Sequence, residues 1–228
     1  MIVAVIPARY NSKRIKKKNI KLFYSKPIIF WTIKILIESN IFDKIVVTSD
    51  SQLILDLSKK FGADILIKRS KILSADKITT IAVIKDSIKK LKAKNIYPKY
   101  VCCVYPCNPF LNILDIKRGY KLVKNANDKF IFPVSKYSPP INRAFHLDKN
   151  LNIFPFTLKS TNKRTQDFKD SYYDAGQFYW GSVNLWNNKN SVHKFSKAII
   201  IPSWRSIDIN TADDWNRAEI IYRLIIDN

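Results

Sequence analysis

The chain has 228 residues, 46% of them hydrophobic and 13% aromatic, enough to bury one full α/β domain and too apolar for a disordered or low-complexity protein. Its formal net charge is +22, but Lys, Ile and Asn recur along the whole length, which points to a sequence-wide compositional bias rather than a localised nucleic-acid face. The three cysteines, Cys102, Cys103 and Cys107, cluster without a CxxC pair, so a disulfide framework is excluded and a reduced, cytoplasmic protein is expected. Met1 to Ile6 is too short for a signal-peptide core, and no apolar run approaches the about 18 residues of a membrane span, so a soluble protein is expected.

The first apolar run, Met1 to Ile6, reads as a buried strand that Pro7 ends, because proline has no N–H for a ladder. The chain then turns cationic at Arg9, Lys13, Arg14, Lys16, Lys17, Lys18 and Lys21. A basic loop after the first strand of an open α/β sheet lies where such folds bind ligands, and its charge suits an anion such as a nucleoside triphosphate. The competing reading is a solvated charge run.

Pro27 to Glu38 reads as a helix with Ile28, Trp31, Ile35 and Leu36 on its apolar face, and Lys44 to Thr48 as a β-branched strand. Asp50-Ser51 opens a second helix with Leu53, Leu57 and Phe61 inward and Gly62 as its stop. A strand at Asp64 to Ile67, a helix at Thr79 to Leu91, a continuous apolar strand at Tyr100 to Tyr105, a helix at Ile113 to Val123 and a strand at Lys129 to Ser135 follow. This alternation predicts an α/β sheet with right-handed crossovers. It breaks at residues 136 to 174, where Pro139-Pro140, Pro155 and many polar residues suggest short strands, loops and a hairpin that leaves the main body. Tyr172 to Ser182 and Ala198 to Ile201 read as strands again. The last helix opens at Thr211 with Asp214 three residues on, a capping box, and buries Trp215, Ala218, Tyr222 and Ile225. With no linker and no repeat, residues 1 to 228 are expected to form one domain with an insertion at about 136 to 174.

Only Gly62, Gly119, Gly176 and Gly181 are present, so neither a Walker loop nor a dinucleotide fingerprint exists, and any triphosphate must be held mainly by side chains, with whatever amides a glycine-free loop presents. The candidate chemistry sits in the basic loop, in Arg69 to Thr80, in Tyr105 to Phe110 and in Asp208-Ile209-Asn210. Each has a plainer reading. Asp76 and the threonines suit a helix start, Cys107 a small buried hydrophobe, and Phe178-Tyr179-Trp180 a core strand.

Taken in order, these segments resemble the cytidylyltransferases that activate nonulosonic acids, the CMP-sialate synthetase group. The likeness rests on Ile6-Pro7-Ala8-Arg9 with Ser12-Lys13-Arg14 and Lys18-Asn19, on Phe42 through Asp50, on Arg69 with Leu73-Ser74-Ala75-Asp76, and on Ser206 through Thr211 with Asp214. It covers essentially the whole chain. Within that group, Asp174-Ala175-Gly176-Gln177-Phe178-Tyr179-Trp180-Gly181, with Arg164-Thr165-Gln166-Asp167 before it, is similar to the pseudaminate enzymes rather than the neuraminate ones.

The resemblance implies a Rossmann-like, GT-A-like nucleotidyltransferase: a mixed sheet flanked by helices, with a small β-rich excursion for dimerisation. It implies that CTP and a nine-carbon α-keto acid sugar are the substrates, Mg²⁺ the ion and a homodimer the assembly, with no role for nucleic acid or membrane. It implies that Ala8, Arg9, Ser12, Lys13, Lys18, Asn19, Arg69, Thr79 and Thr80 hold the nucleotide, Lys18 nearest the chemistry. Asn108, Arg164, Gln177 and Tyr179 would face the sugar, and Asp208 and Asn210 the metal. Two departures stand out. Asn210 replaces the family's usual second aspartate, and Cys107-Asn108 replaces a threonine and a small residue.

Overall fold

The computed structural model describes residues 1–126, 128–157 and 164–226. In chain order its elements are β1 (Ile2–Pro7), β2 (Leu22–Phe23), β3 (Lys26–Pro27), α1 (Ile28–Glu38), β4 (Lys44–Ser49), α2 (Gln52–Lys60), β5 (Ile65–Lys68), α3 (Thr80–Lys92) and β6 (Tyr100–Val104). Then come α4 (Ile113–Asn125), β7 (Phe130–Lys136), β8 (Phe145–Leu147), β9 (Ile153–Pro155), β10 (Tyr172–Asp174), β11 (Phe178–Ser182), α5 (Val183–Asn188), β12 (Ser196–Ile200) and α6 (Ala212–Ile226).

The main sheet runs β10-β7-β11-β6-β1-β4-β5, with β12 also paired to β7. β1 lies parallel between β4 and β6, with Val5 opposite both Val46 and Cys103. β11 runs antiparallel to β6, which makes the sheet mixed. Successive residues of β1 serve opposite faces, as strand alternation requires. Ala4 and Ile6 enter a core with Ile29, Ile33 and Leu36 of α1 and Ile116 of α4. Val3 and Val5 enter another with Ile81, Ile84 and Ile88 of α3 and Trp186 of α5. Helices on both faces are why β1 and β6 read as unbroken apolar runs.

Pro7 ends β1 as expected, as its last residue, while several other local expectations need correcting. Pairing to β6 stops at Val5, while pairing to β4 carries on to Pro7, so the missing N–H costs no ladder bond there. Helix α2 buries Ile54, Leu55 and Ser58, while Leu53 is exposed, and Ser51 rather than Asp50 is its cap. Helix α1 turns Ile29 and Ile33 inward, leaving Trp31 and Ile35 at the margin. Tyr172 to Ser182 is two strands separated by Ala175 to Gln177, because Gly176 takes φ +62 and breaks the ladder. The short helix α5 was not anticipated, and Ile225 of α6 is exposed. Residues 136 to 174 do contain a separate hairpin, β8 with β9, while β10 rejoins the main sheet. Residues 158 to 163 of that excursion lie outside the described residues.

Gly181 shows how tightly the antiparallel side is packed. A Cβ there would meet Phe130 at 2.7 Å and Trp186 Nε1 at 2.9 Å, both side chains fully buried. Strand propensity favours valine over glycine, but overpacking against two rings outweighs it. Gly181→Val is therefore expected to cost about 3 kcal/mol of stability, read from urea unfolding midpoints.

A third core positions the functional loops. Ile15 of the basic loop, Ile28 of α1, Ile207 and Ile209 pack on Trp215 and Ala218 of α6. Trp215 also meets Phe23 edge-on at 5.6 Å. Burying an isoleucine contributes about 1.5–3 kcal/mol, more than the weak repulsion among exposed lysines, so Ile15 anchors a loop that charge alone would splay.

Candidate active site

The carboxyl ends of β1, β5 and β6 open into one cleft of about 650 Å³. The basic loop forms one wall with Arg9, Ser12, Lys13, Arg14, Lys18 and Asn19. Arg69 and the 73–78 strap form a second, Tyr105 to Asn108 a third, and Gly176, Asp208 and Asn210 a fourth. Residues from both ends of the sequence thus share one cavity.

The loop is held by its own polar contacts. The Asn19 amide, buried, donates to the Arg9 carbonyl at 2.7 Å, and Lys17 takes the left-handed conformation at φ 52. The Tyr10 N–H donates to Asp50 Oδ1 at 2.9 Å, so Asp50 braces the loop instead of opening α2. Its cations are engaged. Arg9 Nη1 and Lys13 Nζ grip the two oxygens of Asp76 at 2.6 and 2.5 Å. Lys18 Nζ donates to the Ile209 carbonyl at 2.6 Å, and Arg14 Nη2 to Asn210 Oδ1 at 2.6 Å. The two ends of the chain are thereby clasped across the cleft.

Asp208 reaches the cleft through strand-like alternation: Ile207 and Ile209 are buried and Asp208 between them is exposed. Asn210 Nδ2 donates to Asp208 Oδ2 at 2.5 Å. The reciprocal Thr211–Asp214 cap fixes this turn, since Asp214 Oδ2 accepts from the Asn210 N–H at 2.9 Å and the Thr211 N–H at 2.8 Å. Behind it, Arg205 Nη1 donates to Asp115 Oδ2 at 2.5 Å, tying the Asp208 segment to the start of α4. Gly176 lies beside it in the same wall, where an added Cβ would be 4.0 Å from Asp208 Cγ.

Arg69 is buried, and its guanidinium pKa is lowered first by burial, with Asp50 and Asp86 acting against that and Arg9 adding to it. Its Nε donates to Ser74 Oγ at 3.1 Å. The Cys107 thiol donates to Asn19 Oδ1 at 3.0 Å, and burial pushes its pKa up to about 12, so it is a hydrogen-bonding wall residue and not a nucleophile.

The cleft gathers Arg9, Ser12, Lys13, Lys18, Asn19, Arg69, Thr80, Asn108, Asp208 and Asn210. Ala8 is fully buried behind it, its N–H bonded to the Thr48 carbonyl. Thr79 caps α3 by accepting from the Ala82 N–H at 3.2 Å and faces a smaller neighbouring cavity. Tyr179 also lines that smaller cavity and donates to Asp174 Oδ2 at 2.7 Å. Gln177 turns its amide to the Arg205 carbonyl at 2.6 Å. Arg164 is exposed and pairs with Asp167, away from the cleft lining. Asn108, expected to meet the sugar, spends its amide on the Tyr105 carbonyl at 2.9 Å and shapes the wall.

Sequence reasoning placed Tyr105 and Asp76 in candidate patches but gave neither a role in the cleft. The Tyr105 hydroxyl shares a 2.8 Å hydrogen bond with Thr80, and burial raises its pKa to about 12. Its position at the carboxyl end of a central strand is what marked it as a candidate.

Comparison with known proteins agrees with this geometry. The cytidylyltransferase family pattern matches residues 3–181. A pseudaminic acid cytidylyltransferase of Campylobacter jejuni is 35% identical over 97% of this chain and 96% of its own length. A CMP-N,N'-diacetyllegionaminic acid synthase of Legionella pneumophila is 28% identical over 98% of this chain and 97% of its own. Among solved structures, a CMP:2-keto-3-deoxy-manno-octonic acid synthetase complexed with CTP superposes with a TM-score of 0.71 at 12% identity, covering 99% of this chain and 98% of the other, a likeness of fold. Pattern, identity and architecture converge, and the chain belongs to the cytidylyltransferase family.

Proposed function

We propose that this chain joins CTP to a nonulosonic acid, with pseudaminic acid as the preferred sugar, giving the CMP-sugar and pyrophosphate. The observation that carries the reading is the cleft whose lining Arg9, Lys13, Lys18 and Arg69 share with Asp208. The sugar's anomeric hydroxyl attacks the α-phosphorus of CTP and pyrophosphate departs. Catalysis then rests on alignment and on neutralising phosphate charge, which is what a basic, glycine-free cradle supplies. The 35% identity to a pseudaminic acid enzyme, against 28% to a legionaminic acid one, supports the choice of sugar.

Mg²⁺ fits the donor set. Among the described residues no group of three or more His, Cys, Asp or Glu would hold a metal alone. A hard ion that takes one or two carboxylates and completes its shell with phosphate oxygens and water suits Asp208. Asp208 would hold it, and Asn210 orients that carboxylate while Arg14 holds the Asn210 oxygen. When bound, the ion supplies neutralisation of phosphate charge. Asn210→Asp adds a second carboxylate, so the Mg²⁺ concentration for half-maximal activity is expected to fall about threefold to tenfold, measured by pyrophosphate release.

The reading includes one domain with a dimerising hairpin. Phe145, Leu147, Ile153 and Phe154 of β8 and β9 are all more than half exposed, an apolar surface that a second copy would cover. A partner would bring Arg164 toward the sugar. The reading also includes a cytoplasmic site of action, in keeping with free Cys102, Cys103 and Cys107 and with the absence, among the described residues, of a helix long and apolar enough to cross a membrane.

The test is direct. Purified protein is incubated with CTP, Mg²⁺ and pseudaminate, legionaminate or neuraminate in turn, and pyrophosphate is measured. Turnover with pseudaminate far above the others supports the reading. Turnover with neuraminate and none with pseudaminate overturns the choice of sugar. Light scattering that gives a monomer at micromolar concentration removes the dimer.

A further inference from the structure

Asp76 is the anomaly of the cleft. It is a carboxylate lining a cavity whose neighbouring wall is cationic, and it bonds two of the cations through separate oxygens, Oδ1 to Arg9 and Oδ2 to Lys13. A phosphate group binds such a pair in the same way, with different oxygens on different donors. Asp76 is half exposed and sits in the short 75–78 segment, pinned at one end where Ser74 Oγ meets Arg69 and at the other where Thr79 caps α3. A carboxylate and a phosphate cannot share these donors without bringing like charges together.

We infer that Asp76 is an internal competitor for the phosphate cradle: its carboxylate occupies the Arg9 and Lys13 donors, and a triphosphate must displace it to bind. The residue has two consequences. It holds Arg9 and Lys13 pointed into the cleft, and it lowers the affinity for every phosphate-bearing ligand while leaving the nucleoside contacts alone. The hydrogen bonds from Lys13 and Arg9 hold its pKa below the usual carboxylate range, so the competitor stays charged at neutral pH. The other two loop cations that line the cleft are engaged differently. Lys18 meets a neutral carbonyl and Arg14 a neutral amide oxygen, neither of which repels a phosphate. Asp76 is therefore the position where one isosteric change separates competition from support.

This inference rests on the reading of the cleft as a CTP site. The experiment is calorimetric titration of the unsubstituted chain and of Asp76→Asn with CTP, inorganic pyrophosphate and cytidine, at low and high salt, without added divalent ion. Expected is a gain of about threefold to tenfold for CTP and pyrophosphate, no change for cytidine, and a gain that shrinks as salt rises. Asp76→Ala, which removes the same charge with a different shape, is expected to give the same gain. Unchanged or weaker pyrophosphate binding by both variants overturns the inference while leaving the CTP site standing. Weaker cytidine binding would make Asp76 a nucleoside contact and overturn it too. No CTP binding by the unsubstituted chain overturns the reading of the cleft, and the inference falls with it.

Discussion

Replacing Lys18 by alanine is expected to lower kcat/KM by about a hundredfold to a thousandfold with little change in thermal stability. The side chain is half-buried, lines the cleft and follows a left-handed Lys17, so its direction is set by the backbone. Its ammonium lies 2.6 Å from the Ile209 carbonyl, beside the segment that carries Asp208. A phosphate oxygen between Lys18 and Asp208 would feel both the cation and whatever ion the carboxylate tethers. Loss of a preorganised charge there removes stabilisation that water does not replace. Lys18→Arg is not expected to restore the rate, because a planar fork does not reproduce a compact point charge. Steady-state kinetics with CTP and the sugar varied in turn, beside a thermal melt, check this. A loss under about tenfold would remove Lys18 from the reacting end of the cleft.

Asp208→Asn carries the second large effect. Asn210 already bonds one Asp208 oxygen, so the site has one carboxylate where a second donor is neutral. Removing that single charge is expected to cut kcat/KM by about a hundredfold and to raise the Mg²⁺ needed for half-maximal rate by at least about tenfold. The substitution is nearly isosteric and Asp208 is exposed, so folding is spared. Rates measured across a Mg²⁺ series test it. An unchanged metal requirement would show that the ion is held elsewhere. The pair Asp208→Asn and Asn210→Asp is informative together, because the two substitutions move the metal dependence in opposite directions.

The central strands were legible because they are buried on both sides: Val3 to Ile6 and Tyr100 to Val104 are covered throughout, short apolar runs between turn signals. Helix α2 shows the limit of periodicity. Leu53-Leu57 and Ile54-Ser58 are both four-residue spacings, and the pattern alone does not say which stripe the sheet will cover. The basic loop and Asp208 were legible as members of one site only through the likeness of whole segments. Nothing in local pattern says that Ile15 and Ile209 share a core. Tyr179 and Gln177 were assigned to the sugar from their motif. The structure gives both side chains protein partners, since Tyr179 lies with Tyr105 and Phe132 in the core over α3, and Gln177 turns toward Arg205. Asp76 was hidden because its partners lie some 60 positions upstream, and long-range charge pairing leaves no periodic trace.

The core built around Trp215 has a bearing on how the protein comes into being. Ribosomes deliver α6 after every strand of the sheet. Until Trp215 and Ala218 arrive, Ile15, Phe23 and Ile209 lack the helix face that closes their core, and the turn carrying Ile209, the tether of Lys18, lacks its Asp214 cap. A nascent chain can thus lay down every strand of the sheet before α6 buttresses the wall that carries Asp208.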